Sequence, residues 1–88
     1  MYSQDWTKLE VRRCYRHFKG MLYYVFCVGR HTEGDREVLV TYQALYEDGE
    51  IHHRPFDMFI EKVPDDKQDE NVTGQTYRFE PFDGKLIL

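Results

Sequence analysis

Apolar residues in this chain come in short runs separated by turn residues, and the spacing predicts strands rather than helices. Val11 to Phe18 forms a first apolar-polar run, broken by Lys19-Gly20. Leu22 to Val28 is almost continuously apolar, is too short for a helix between Gly20 and Gly29, and predicts a central strand buried on both faces. Glu37 to Tyr46 is the longest predicted strand, with Val38, Val40, Tyr42, Ala44 and Tyr46 on one side. Glu47-Asp48-Gly49-Glu50 then predicts a hairpin turn, because Asp-Gly supplies the positive φ that twisted hairpins require. Ile51 to Arg54 is the return strand, ended by Pro55. Phe56 to Phe59 suits a single 3₁₀ turn, and Ile60 to Val63 a short strand.

The ends of the chain read differently. Residues 1–10 are polar except for Tyr2, Trp6 and Leu9, and predict a tail or a single helical turn anchored by Trp6. Residues 64–75 are polar and acidic with no apolar period, the signature of a mobile loop. Residues 76–88 carry a second Asp-Gly turn, Asp83-Gly84, and predict a C-terminal hairpin packed on the core. About five short strands over residues 11–63 with almost no helix imply an all-β fold. In so short a chain a closed barrel leaves the fewest open edges.

Composition explains how 88 residues can hold a core. The chain has seven Tyr, six Phe and one Trp, and each aromatic buries a large area and favours strands. Surface scaling puts the buried fraction at roughly 64%, enough for one thin core. Most of the aromatics are therefore expected inside, with hydroxyls at the barrel ends. The alternative is an exposed platform of Tyr15, Tyr23, Tyr24, Tyr42 and Tyr46. Cys14 and Cys27 form no CxxC and no zinc spacing, and sit among apolar residues as expected for small core fillers.

The formal charge is −4 and unevenly spread. Residues 1–32 carry six Lys/Arg against Asp5 and Glu10, whereas residues 33–70 carry twelve Asp/Glu against four Lys/Arg. An acidic chain gains little from phosphate counterion release, so general nucleic-acid binding is disfavoured. A local basic strand of Arg12, Arg13, Arg16 and Lys19 keeps that reading open. No cationic start precedes an apolar run, and no apolar stretch reaches the ~20 residues of a membrane span. The expectation is a cytoplasmic protein without membrane contact.

One set of residues carries a family resemblance. Tyr15-Arg16-His17-Phe18-Lys19-Gly20 precedes Tyr23 and His31-Thr32-Glu33; Leu39 to Tyr46, Arg54-Pro55 and Met58-Phe59 follow. In order and spacing these resemble domain-of-unknown-function family 1653, small bacterial proteins whose pattern runs from Tyr-x-His-(Phe/Tyr)-Lys-Gly to Arg-Pro-x-x-Met-Phe. The match covers about residues 12–63, with Tyr77-Arg78-Phe79 resembling the family's closing segment. The resemblance implies an SH3-like β-barrel and no assigned activity. The chain departs from the family at His52, where an aromatic usually stands, and in its tails and acidic loop.

The polar residues point to a binding face more than to catalysis. His17 and Lys19 share a face of the first strand, His31 sits at the exit of the second, Tyr42 lies mid-strand and Arg54 ends the fourth. Together His17, Lys19, His31, Tyr42 and Arg54 can surround an anionic group, with Arg54 as a two-pronged donor and Lys19 as a point charge. The structural alternative pairs Arg54 with Glu33 or Glu37. His52 and His53 point to opposite faces, so no metal site is predicted, and the acids at 65, 66, 69 and 70 lack the spacing of a calcium loop. No nucleophile–base pair, paired carboxylates or cofactor motif is legible.

Three functions follow. The first is a non-catalytic binding module for a peptide, a protein or a small anionic ligand. The second is a nucleic-acid accessory domain working through the basic N-terminal strand, and the third an enzyme with an unrecognised site. The oligomeric expectation is a monomer or weak homodimer.

Overall fold

The computed structural model describes residues 9–84. The readings placed on residues 1–8, including the Trp6 anchor, and on the 85–88 arm of a C-terminal hairpin lie outside that range. Five antiparallel strands make one sheet: β1 (Arg13–His17), β2 (Leu22–Arg30), β3 (Val38–Ala44), β4 (Ile51–Pro55) and β5 (Phe79–Pro81). Their order is β4-β3-β2-β1-β5. Three successive hairpins build the first four strands, as the turn signals require. At the third turn Glu47 and Gly49 take positive φ, and the Gly49 N–H bonds the Tyr46 carbonyl at 3.1 Å.

The chain then crosses the sheet. A four-residue helix, α1 (Phe56–Phe59), drops Phe56 and Phe59 into the core and presses on β3 and β4. It is α-helical, not the expected 3₁₀ turn. Ile60 to Val63 does not form a strand; it contributes a single bridge, Lys62 to Tyr77. The 3₁₀ helix lies instead at Asp65–Glu70, in the segment expected to be irregular. There Asn71 closes a turn by accepting the N–H groups of Gly74 and Gln75 at 3.0 and 3.2 Å. Local side-chain-to-backbone bonding of this kind leaves no apolar period to read. Buried Gln75 ties the loop to β1, accepting from Arg16 Nε and donating to the Arg16 carbonyl, both at 2.9 Å.

β5 does not pair with a following strand inside the described range. It lies antiparallel on β1, Arg16 opposite Glu80 and His17 opposite Phe79. Among the described residues no ladder joins β4 to β5, so the sheet is open.

Among the described residues one sheet face is covered and the other is not. Tyr15, Tyr23, Val25, Val40, Tyr42, Ala44, Phe59 and Phe79 form the core. β2 is accordingly buried on one face only, which corrects the two-faced expectation. A bulge between Val25 and Cys27 inserts one extra residue into β2. It turns both Phe26 and Cys27 outward, then returns Val28 to the core side. Cys27 is thus exposed and Cys14 half-buried, both free thiols, so neither fills the core as expected. Of the twelve described Tyr and Phe residues seven are buried, the direction the composition argued.

Candidate functional site

Phe79 is the point on which the inner face converges. Its ring stacks on Phe59 at 4.2 Å and meets the edges of His17, Tyr23 and Tyr42 at 5.0–5.5 Å. Arg54 lies over the same ring at 5.7 Å. Offset and edge contacts of this kind add about 0.5–1.5 kcal/mol each beyond area burial. They also fix side chains from β1, β2, β3 and β4 relative to one another.

Arg54 is half-buried and its Nε donates to the Tyr42 hydroxyl at 3.0 Å. Among the described residues it pairs with no carboxylate, so the expected alternative of Glu33 or Glu37 as partner is absent. Three other cations are held by acids: Arg78 on Glu61 at 2.7 Å, Lys19 on Glu70 at 3.3 Å and Arg13 on Glu10 at 2.6 Å. With Nε on Tyr42, the two terminal nitrogens of Arg54 make no hydrogen bond to another described residue. The Tyr42 oxygen accepts from Arg54 and keeps its own proton to donate.

His17 is 7% exposed and stacked on Phe18 at 4.3 Å. Its Nδ1 accepts the Lys19 backbone N–H at 3.1 Å, capping the β1–β2 turn. In the neutral ring the proton is then on Nε2, which is a donor. Burial first, then the positive fields of Arg78, Arg54 and Lys19, push its pKa down to about 4. His17, Tyr42 and Arg54 therefore present hydrogen-bond donors and positive potential, a setting for an anion.

The expected band is assembled only in part. His17, Tyr42 and Arg54 share the Phe79 platform. Lys19 contributes its backbone and field, while its ammonium is engaged by Glu70. His31 bonds within its own turn, its N–H to the Glu37 carbonyl at 2.7 Å and its Nδ1 from the Glu33 N–H at 3.0 Å. Tyr23 and Tyr46 extend the face, their hydroxyls 2.7 Å apart. Burial and that hydrogen bond raise the Tyr23 pKa. Phe79 and Arg78 fall outside the expected band; their signal is the Tyr77-Arg78-Phe79 segment. His52 lies against Tyr42 at 5.5 Å while His53 bonds Thr41 Oγ1 on the outer face at 2.9 Å, the opposite orientations that alternation requires.

Of the basic strand, Arg13 bonds Glu10 and Asp83, Arg16 bonds Gln75 and lies over Phe82, and Lys19 pairs with Glu70. Arg12 is exposed at the strand entrance with φ 54°. Among the described residues no group of three or more His, Cys, Asp or Glu can hold a metal ion. No helix among them is long and apolar enough to cross a membrane.

No curated protein and no solved structure matches the chain. A family model described as Protein of unknown function (DUF1653) matches residues 13–81, from the first residue of β1 to the last of β5. That span takes in His17, Tyr42, Arg54 and Phe79, and on it the chain belongs to the DUF1653 family.

Proposed function

We propose that this domain is a non-catalytic binding module that takes an anionic group on Arg54. The observation that carries the reading is the state of that guanidinium: half-buried, oriented by Tyr42 and without a carboxylate partner among the described residues. A half-buried guanidinium with its Nε engaged keeps its two terminal nitrogens as donors, and that planar fork matches a carboxylate or phosphate. His17 Nε2–H and the Tyr42 O–H are further donors with the same preference for an anion. An SH3-type barrel belongs to the same reading, since the Lys62–Tyr77 bridge carries the chain between β4 and β5 toward closure.

Thermal unfolding in inorganic phosphate, sulfate or acetate tests the reading. At ten times its Kd a bound anion adds about 1.4 kcal/mol, a rise of several degrees in a domain this size. Arg54→Gln is expected to keep a near-native Tm without anion and to lose the rise. An equal rise in the variant, or a collapse of its Tm without anion, overturns the assignment and makes Arg54 structural.

A further inference from the structure

We propose that β4 is a self-pairing edge: two copies of this chain join β4 to β4 antiparallel, and the Glu50 carboxylate of each fills the Arg54 site of the other. The proposal rests on the anion site just described and names the group that occupies it.

β4 is the last strand of the sheet, and among the described residues no strand pairs with its outer side. The ladder with β3 decides which backbone groups lie there. The Ala44 N–H bonds the Glu50 carbonyl at 3.0 Å, and further along Tyr42 faces His52 and Val40 faces Arg54. Hydrogen-bonded pairs alternate in an antiparallel ladder, so His52 and Arg54 turn their backbone groups to β3. Ile51 and His53 turn theirs away from the sheet, each offering one donor and one acceptor.

Sheet edges are normally guarded by proline, lysine, a bulge or a covering segment. The opposite edge is guarded: β5 has three residues and ends at Pro81. The residues just before it are covered, with the Val63 N–H on the Thr76 carbonyl and the Arg78 N–H on the Glu61 carbonyl, both at 2.9 Å. β4 carries no Lys and shows Ile51, 53% exposed.

The two ends of the segment fix the register. Gly49 leaves the extended conformation at φ 68°, and its N–H is taken by the Tyr46 carbonyl. Pro55 has no N–H at the other end. The stretch between them, Glu50 to Arg54, overlaps its own copy in full only about a twofold axis through His52. Ile51 then faces the partner's His53, and the two exchange N–H···O=C bonds that use every free group of the edge. Glu50 faces the partner's Arg54 as a closely spaced pair on the inner face, and the symmetry makes this contact twice. An axis one residue on, through His53, sets His52 against the partner's Arg54 and loses its outer bonds at Pro55.

Sedimentation equilibrium of the full chain between about 10 µM and 1 mM, the range of weak association, tests this. The mass is expected to rise from one chain towards two. Glu50→Lys and Arg54→Glu should each weaken the dimer at least about tenfold, because both symmetric ion pairs become repulsive. An equimolar mixture of the two variants should regain the dimer, since one ion pair is then native and the other has its charges exchanged. Should Arg54→Glu fail to fold, His53→Pro takes its place: that N–H faces outward, so the sheet keeps its bonds while the edge loses a donor. A dimer that persists in both Glu50→Lys and His53→Pro overturns the proposal, as does a mixture of folded variants that stays monomeric. A single-chain mass at every concentration overturns it too, and leaves the edge to a strand of another protein. The anion site is judged apart, by the Tm of Glu50→Gln in phosphate. A rise with no wild-type dimer ends this proposal alone, and neither rise nor dimer ends both.

Discussion

Arg54 Nε donates to the Tyr42 hydroxyl at 3.0 Å although the two residues are diagonal neighbours in the β3–β4 ladder, Arg54 facing Val40 and Tyr42 facing His52. The bond thus fixes the tilt of the guanidinium rather than the register of the strands. Tyr42→Phe is expected to cost about 1–2 kcal/mol in urea unfolding, because a half-buried donor loses its acceptor. Its effect on phosphate binding should be of the same sign, since the fork is no longer held. A variant with wild-type stability and wild-type phosphate affinity would show that the hydroxyl positions nothing.

Phe79 should be the least tolerant position of the inner face. Phe→Ala at a fully buried site costs about 3–5 kcal/mol, comparable to the whole stability of a small domain. Phe79→Ala is expected to abolish cooperative unfolding. Phe79→Leu should fold with a smaller loss and bind phosphate more weakly, because Arg54 loses the ring beneath it. Chemical denaturation of both variants checks the order.

His17 sets an acid limit. Its folded pKa, about 4, lies below the usual histidine value of 6.5, so between those pH values the unfolded chain binds the extra proton. Stability from this group is complete above pH 6.5 and is lost as pH falls towards 4, on the order of 3 kcal/mol in all. Below pH 4 both states are protonated and the loss stops. His17→Gln keeps an acceptor for the Lys19 N–H and should remove this part of the pH dependence. Parallel stability curves for the two proteins between pH 4 and 6.5 would assign the acid sensitivity elsewhere.

The basic strand predicts a negative result. Arg13, Arg16 and Lys19 already have protein partners, and the chain carries a net charge of −4. Titration of single-stranded RNA or DNA at low salt should be flat, and an Arg12/Arg13/Arg16 triple substitution should change nothing. A steep salt-dependent isotherm lost in that variant would revive the nucleic-acid reading.

The strands and their turns are legible because alternation and Asp-Gly or Lys-Gly punctuation are local signals. Val40, Tyr42 and Ala44 point inward as their period requires. What escapes is set by tertiary structure. The apolar run of β2 implies two-sided burial, but the run conceals a bulge, and among the described residues no second layer lies over Tyr24 and Phe26. The 3₁₀ helix at Asp65–Glu70 buries no residue and so leaves no hydrophobic trace. In the site, His17, Tyr42 and Arg54 are legible because they are polar residues on inward positions. His31 does not join them, because its end of β2 leads into a turn that uses its ring for itself. Phe79, the platform, is an ordinary aromatic in sequence, and only the β1–β5 pairing brings it beneath Arg54.

The bulge in β2 has a practical corollary. By turning Cys27 to the solvent side of the sheet, it leaves an accessible thiol on the face opposite Arg54, whereas Cys14 is half-covered. A fluorophore attached there can report on the protein in solution without standing in the way of whatever the inner face holds.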